Sequence, residues 1–127
     1  MKMPEPNTLF LIARHGLKMG SERGLLESWM WNLTPEDESM SYLSLHKSKS
    51  DRAHKGGAIV GFREATESEV LEHQALLSEI GQEAMQDTAA RKIIIFRVDP
   101  NWKKLWSKES RSHQMAYKAV GHVEISA

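Results

Sequence analysis

The chain predicts an α+β domain, a small mixed and partly closed five-stranded β-barrel with flanking helices, and three stretches carry that prediction. The first is Gly56-Gly57-Ala58-Ile59-Val60-Gly61-Phe62-Arg63-Glu64-Ala65-Thr66, in which Ala58, Val60 and Phe62 fall on one side of a period-two pattern and Ile59, Gly61 and Arg63 on the other. A strand with one greasy side laid over a core is expected there, with the paired glycines as a tight lead-in and Gly61 marking a bulge, a barrel bend or a close approach by backbone or ligand. The second is Arg91-Lys92-Ile93-Ile94-Ile95-Phe96-Arg97-Val98, whose β-branched and aromatic content predicts a strand covered on both faces. Between them Thr66 stands three residues before Glu69. That is the reciprocal hydroxyl and carboxylate of a capping box, and it predicts a helix running to about Gln86.

Taken in order, Thr8 to Ala13 is a short apolar run and predicts the first strand. Glycines at 16, 20 and 24 interrupt the chain, and Leu25, Leu26, Trp29 and Met30 then recur at helical spacing behind Ser21 as a cap, so a short helix is expected. Thr34-Pro35-Glu36-Asp37 places a capping hydroxyl before a proline at the first helical position, with acids at the positive end of a second short helix. Ser41 to His46 alternates, Leu43 and Leu45 against Tyr42, Ser44 and His46, and predicts the second strand. The polar, basic loop Lys47 to Lys55 delivers the chain into the central strand, and binding groups commonly sit on such loops. The long helix should bury Val70, Leu77, Ile80 and Ala84 and leave its acids outside. Asp99-Pro100 repeats the acid-and-proline device and predicts a short helix sharing Trp102, Leu105 and Trp106 on one face. After the polar stretch Ser107 to Gln114, Tyr117, Ala119, Gly121, Val123 and Ile125 alternate with Lys118, Val120, His122 and Glu124 as a last strand.

At 127 residues, 40% hydrophobic and 27% charged, the chain suits one core, so a single domain over residues 1–127 is expected, with residues 1–7 as a flexible tail. It has no cysteine, which excludes disulfides and thiolate metal sites. No apolar run suits a membrane span or a signal peptide, and a cytoplasmic location is expected. Seventeen basic and seventeen acidic residues cancel, which argues against an indiscriminate grip on phosphate backbones. Their distribution is uneven: Glu64 to Asp87 holds acids and no lysine or arginine, whereas Arg91 to Lys118 holds eight basic residues against Asp99 and Glu109. One basic face, or simply a solvated acidic helix beside ordinary lysines, would follow.

The apolar strand ending in Arg14-His15-Gly16 is similar over six residues to the opening of the histidine phosphatases, a resemblance that implies phosphoryl transfer through His15. Leu17-Lys18-Met19 follows where that family has an acid or a small hydroxyl residue, and Arg111 and His122 are the only later candidates for its remaining pocket. The histidines at 15, 46, 54, 73, 113 and 122 lack metal-ligand spacing, and no phosphate-cradling glycine loop is present, so neither metal nor cofactor is expected. Trp29, Trp31, Trp102 and Trp106 are the remaining signal, suited to stacking on a base and equally suited to a core. Trp29 and Trp31 should point to opposite sides of one element, one inward and one toward a pocket.

The order of strand, tryptophan-bearing segment, Tyr42-Leu43-Ser44-Leu45-His46-Lys47-Ser48, basic loop, Ala58-Ile59-Val60-Gly61-Phe62-Arg63-Glu64 and Phe96-Arg97-Val98-Asp99-Pro100 resembles the PUA-like superfamily, in particular EVE and ASCH domains. That resemblance covers most of the chain through hydrophobic patterns. It implies a small barrel whose mouth holds a base, often modified, between aromatic and polar groups while basic residues contact phosphate. Carried onto this chain, it implies ligand contacts from Trp29, Trp31, Tyr42, His46, Lys47, Ser48 and Trp102, and backbone contacts with RNA or DNA from Lys49, Arg52, Lys55, Lys103, Lys104, Arg111 and Lys118. The lysine, threonine and glutamate set of the ASCH amidohydrolases does not align. A noncatalytic nucleic-acid-binding module is therefore the leading expectation, ahead of a small hydrolase on a modified nucleoside, a His15 phosphatase and a protein-interaction domain.

Overall fold

A computed structural model describes residues 7–13, 16–48, 50–83, 85, 91–106, 111–112 and 118–121, with the backbone alone for 111, 112, 118 and 119. The elements run Thr8–Ile12 (β1), Leu17–Met19 (β2), Leu25–Trp31 (β3), Pro35–Glu38 (α1), Tyr42–His46 (β4), Lys55–Glu64 (β5), Glu67–Glu79 (α2), Lys92–Val98 (β6), Arg111–Ser112 (β7) and Lys118–Gly121 (β8). Among the described residues the strands form one eight-stranded sheet in the order β2-β3-β6-β5-β4-β1-β8-β7. Every neighbouring pair is antiparallel except β1 with β4, which makes the sheet mixed and the domain α+β. The ladder runs from β2 to β7 with no described pairing that joins its edges. The five expected strands are present as β1, β4, β5, β6 and β8, and β2, β3 and β7 are additional.

One face of the sheet carries most of the core. Leu9 and Leu11 of β1, Leu43 and Leu45 of β4, Ile94 and Phe96 of β6 and Val120 of β8 share one buried cluster, joined by Leu17, Leu26, Trp31, Ile59 and Phe62 from β2, β3 and β5. Every strand from β2 to β8 in the sheet order contributes to this one core. Two smaller cores lie on the outer face. Phe10, Ala53 and Trp102, with Tyr42 and Trp106, cover β1 and β4, while Trp29, Met30 and Ile93 sit beneath α2 with Val70.

Several expected elements are corrected. Leu25 to Trp31 is a strand paired with β6, and its helix-like spacing comes from an irregularity in register between Ser28 and Trp31. Met30 adopts φ 69° there, so the inward positions shift phase from Leu26 and Ser28 to Trp31. A second bulge, between Ile59 and Gly61, shifts β5 in the same way. Ile59 and Phe62 therefore face the core, whereas Val60, expected on the greasy side, is exposed. Gly61 has open space where a side chain would be, which assigns it to the bulge rather than to a close approach. The capping box at Thr66 and Glu69 is present, and α2 ends at Glu79 because Gly81 takes a left-handed conformation, φ 76°. Ile80 at its cap is consequently exposed; Ala84 lies outside the described residues. The expected helix at Trp102 is absent: Asn101 N–H donates to Asp99 Oδ1 (2.9 Å) and Trp102 N–H to the Asp99 carbonyl (3.0 Å), closing a turn. The following segment gives its Lys104 carbonyl to Ala53 N–H (2.9 Å) and its Lys103 carbonyl to Arg52 Nη1 (3.0 Å) instead of building helical bonds.

Candidate functional site

Alternation along β4 sends Leu43 and Leu45 inward and Tyr42, Ser44 and His46 outward, beneath the loop that follows and the 102–106 segment. His46 Nδ1–H donates to the Asp51 carbonyl (2.9 Å), which leaves Nε2 to accept from the Ser44 hydroxyl (2.7 Å) in the neutral ring. Ser44 Oγ in turn accepts from Trp102 Nε1–H (2.9 Å). Burial pushes the His46 pKa down, the hydrogen bond to Asp51 opposing it, and the neutral tautomer fits the network. Phe10 and Trp106 pack on the imidazole, the latter edge-on at 5.3 Å, and Tyr42 stacks on Trp102 at 5.9 Å. His46 and Trp102, expected to touch ligand, are thus closed into a core where they satisfy each other through Ser44, and half-buried Tyr42 is part of the same stack.

The tryptophans of β3 fall on opposite faces of the sheet, and each packs in a core. Trp31 joins the inner core and donates Nε1–H to Ser28 Oγ (2.8 Å). Trp29, on the outer side of the bulge, donates to Glu27 Oε1 (3.2 Å) and lines a hollow of about 270 Å³ with Lys18, Glu72, His73 and Glu79. Lys18 Nζ already lies over its ring, 5.2 Å from the centroid.

Lys47 leads to a different place. A cavity of about 330 Å³ is lined by Ala13, Gly16, Leu17, Ser28, Leu45, Lys47 and His54, drawn from the end of β1, from β2, β3 and β4, and from the β4–β5 loop. The cavity thus brings residues of β2 and β3 together with residues of β4 and the end of β1. His54 Nε2–H donates to the Ala13 carbonyl (3.0 Å), so Nδ1 is the acceptor of the neutral ring. Burial lowers the His54 pKa, the Ala13 hydrogen bond opposes that, and the positive charges of Lys47, Lys55 and Lys103 lower it further. All three lysines are exposed and their charges reach His54, and Lys47 lines the cavity itself. Arg52 Nη1 donates to the Lys103 carbonyl.

The remaining expected residues are dispersed. Ser48 Oγ is engaged with Ser50 and Asp51, both at 3.0 Å, within the loop, and Lys104 Nζ lies 5.7 Å from the Trp102 ring centroid. Lys49, Arg14 and His15 and the side chains of Arg111 and Lys118 lie outside the described residues. Ser28 and His54, the polar groups of the cavity besides Lys47, were not singled out by sequence. Ser28 becomes visible only when 25–31 is read as a strand with Leu26 inward, and His54 sits in a loop with no periodicity to mark it. Among the described residues no three His, Asp or Glu side chains come together as a metal ion needs, and no helix is long and apolar enough to cross a membrane. A hydroxyl, a neutral imidazole and an ammonium in an otherwise apolar hollow can hold a flat, polar small group by its edge. The chain matches no protein-family model, no curated protein and no solved structure.

Proposed function

We propose that the protein is a nucleic-acid-binding module of PUA-like, partly closed barrel form, which takes a base into the cavity at His54 and holds the adjoining phosphates on its lysine rim. The observation that carries this reading is the coincidence of two features: a cavity of about 330 Å³ and Lys47, Lys55 and Lys103 around its histidine. The volume falls at the lower end of small-molecule sites, roughly 300–1,000 Å³. Separate jobs follow from separate chemistry, since phosphate contacts position a strand while base contacts in the pocket select it. The base rests against Leu17 and Leu45 rather than between tryptophans; Trp31 supports the pocket from behind by holding Ser28. The reading needs no catalytic group and no cofactor, and goes with a cytoplasmic protein.

Titration of labelled single-stranded RNA and DNA at low and at moderate salt tests it. Binding that weakens with salt, and that weakens again when Lys55 and Lys103 are both changed to Glu, is the expected result. Absence of binding at low salt would sink the proposal.

A further inference from the structure

The hydrogen-bonding polarity of the cavity is set by partners that leave little choice. The Ala13 carbonyl can only accept, so His54 Nε2 carries the proton of the neutral ring and Nδ1 offers a lone pair. Ser28 is almost wholly buried and already accepts the Trp31 N–H, while its own hydroxyl proton has no acceptor among the described residues. Lys47, on the lining of the same cavity, carries an ammonium and can only donate. The residues lining the cavity can therefore offer a hydroxyl that donates and keeps a second lone pair, one fixed acceptor at His54 and a cationic donor at Lys47.

We infer that the cavity selects an imide edge, the carbonyl, N–H, carbonyl sequence of uracil or thymine, with Ser28 donating to one carbonyl, His54 Nδ1 accepting the N–H and Lys47 donating to the other carbonyl. The inference rests on the base-binding reading and narrows its ligand class. Cytosine turns its ring nitrogen into an acceptor, which would set two lone pairs against each other at His54, and presents an amino group in place of one carbonyl. Adenine repeats both mismatches. Guanine offers a carbonyl and an N–H in the right order, so the contact at His54 does not discriminate against it. His54 is half-buried, and a polar group left unpaired there is penalised more heavily than a paired one is rewarded, so the His54 contact discriminates uracil from cytosine and adenine.

The test uses short labelled oligonucleotides with abasic flanks and one central base, uracil, cytosine, adenine or N3-methyluracil, titrated by fluorescence anisotropy against the whole chain. Uracil should bind about tenfold or more tightly than cytosine, and N3-methyluracil, which lacks the N–H, should fall to the cytosine level. Equal affinity for uracil and cytosine, both above the fully abasic strand, would overturn the selectivity while leaving base binding in place. Equal affinity for uracil and the abasic strand would instead overturn base binding itself. In His54→Phe a ring of similar shape remains without any acceptor, and the uracil preference should shrink to within about twofold while cytosine affinity holds. A preference that survives in that variant overturns the role of His54. The N3-methyluracil comparison is made on the unaltered protein, so the inference stands or falls even if the variant does not fold.

Discussion

Gly56 has no side chain because the indole of Trp102 lies where one would be. A Cβ built at Gly56 would run into the Trp102 ring, and one at Gly57 into the Arg97 carbonyl. Gly56→Ala should therefore cost about 1–3 kcal/mol, visible as a lowered melting temperature, since the ring cannot retreat without breaking its bond to Ser44. Ser44→Ala should cost a similar amount, about 1–3 kcal/mol in denaturant unfolding, because it strands both the Trp102 N–H and His46 Nε2 inside the outer core. Acid should act on this network and on His54 at the cavity. His46 and His54 are both lowered from 6.5, so the unfolded chain takes up protons before the fold does. Stability should be complete above about pH 6.5 and decline as pH falls from there toward the lower folded values. A urea midpoint that does not move between neutral and mildly acidic pH would contradict this. The site was only partly legible at this scale. Lys47, Lys55 and Lys103 were visible as a basic loop and a basic segment, but Ser28 depended on the phase of β3, and His54 is placed by a hydrogen bond to Ala13, forty-one residues away in the chain.

At the scale of elements, sequence was most legible where local chemistry and tertiary packing agree. The start of α2 is the clearest case: Thr66 Oγ1 accepts from Glu69 N–H (3.2 Å), and Glu69 Oε1 returns a bond from Thr66 N–H (2.9 Å). Arg63 of β5 then clamps Glu69 through both guanidinium branches, at 2.8 and 2.6 Å, and reaches Glu27 of β3 at 2.9 Å. The Arg63 hydrogen bonds and the cap hold the Glu69 carboxyl down at about 2. Its contribution to stability is full above about pH 4.5, the ordinary value, and is lost as pH falls from there toward about 2. Thr66→Ala should cost about 1 kcal/mol in thermal or denaturant unfolding. Arg63→Met should also remove about 1 kcal/mol, a figure reduced for its one-third exposure, and should flatten the acid limb below pH 4.5. Sequence misread elements where a tertiary requirement changed the local period. The bulge at Met30 turned a strand into a helical pattern, and the pull of Trp102 toward Ser44 turned an acid-proline helix start into a turn followed by irregular chain.

For the whole molecule, a formal net charge of zero conceals a local accumulation, and that accumulation decides how salt should act. The His54 cavity joins residues of β2, β3 and β4 to the β4–β5 loop, and the charges of Lys47, of Lys55 at the start of β5 and of Lys103 reach His54. The acidic α2 lies at the other hollow, where Lys18 rests on Trp29 beside Glu72 and Glu79. If nucleic acid binds at the His54 rim, each lysine that neutralises a phosphate releases condensed counterions, and the logarithm of affinity falls linearly with the logarithm of salt concentration. Lys55→Ala and Lys103→Ala should each reduce the magnitude of that slope by about 0.7 on a single strand, whatever the base sequence, and should leave the unfolding midpoint nearly unchanged because both side chains are exposed. Lys18→Ala supplies the contrast: it removes an equal charge on the side facing α2 and should leave the slope where it was. Slopes measured over several salt concentrations for the three variants separate a rim that tracks phosphate from positive charge acting at a distance, because a diffuse field would respond to Lys18→Ala as it does to the other two.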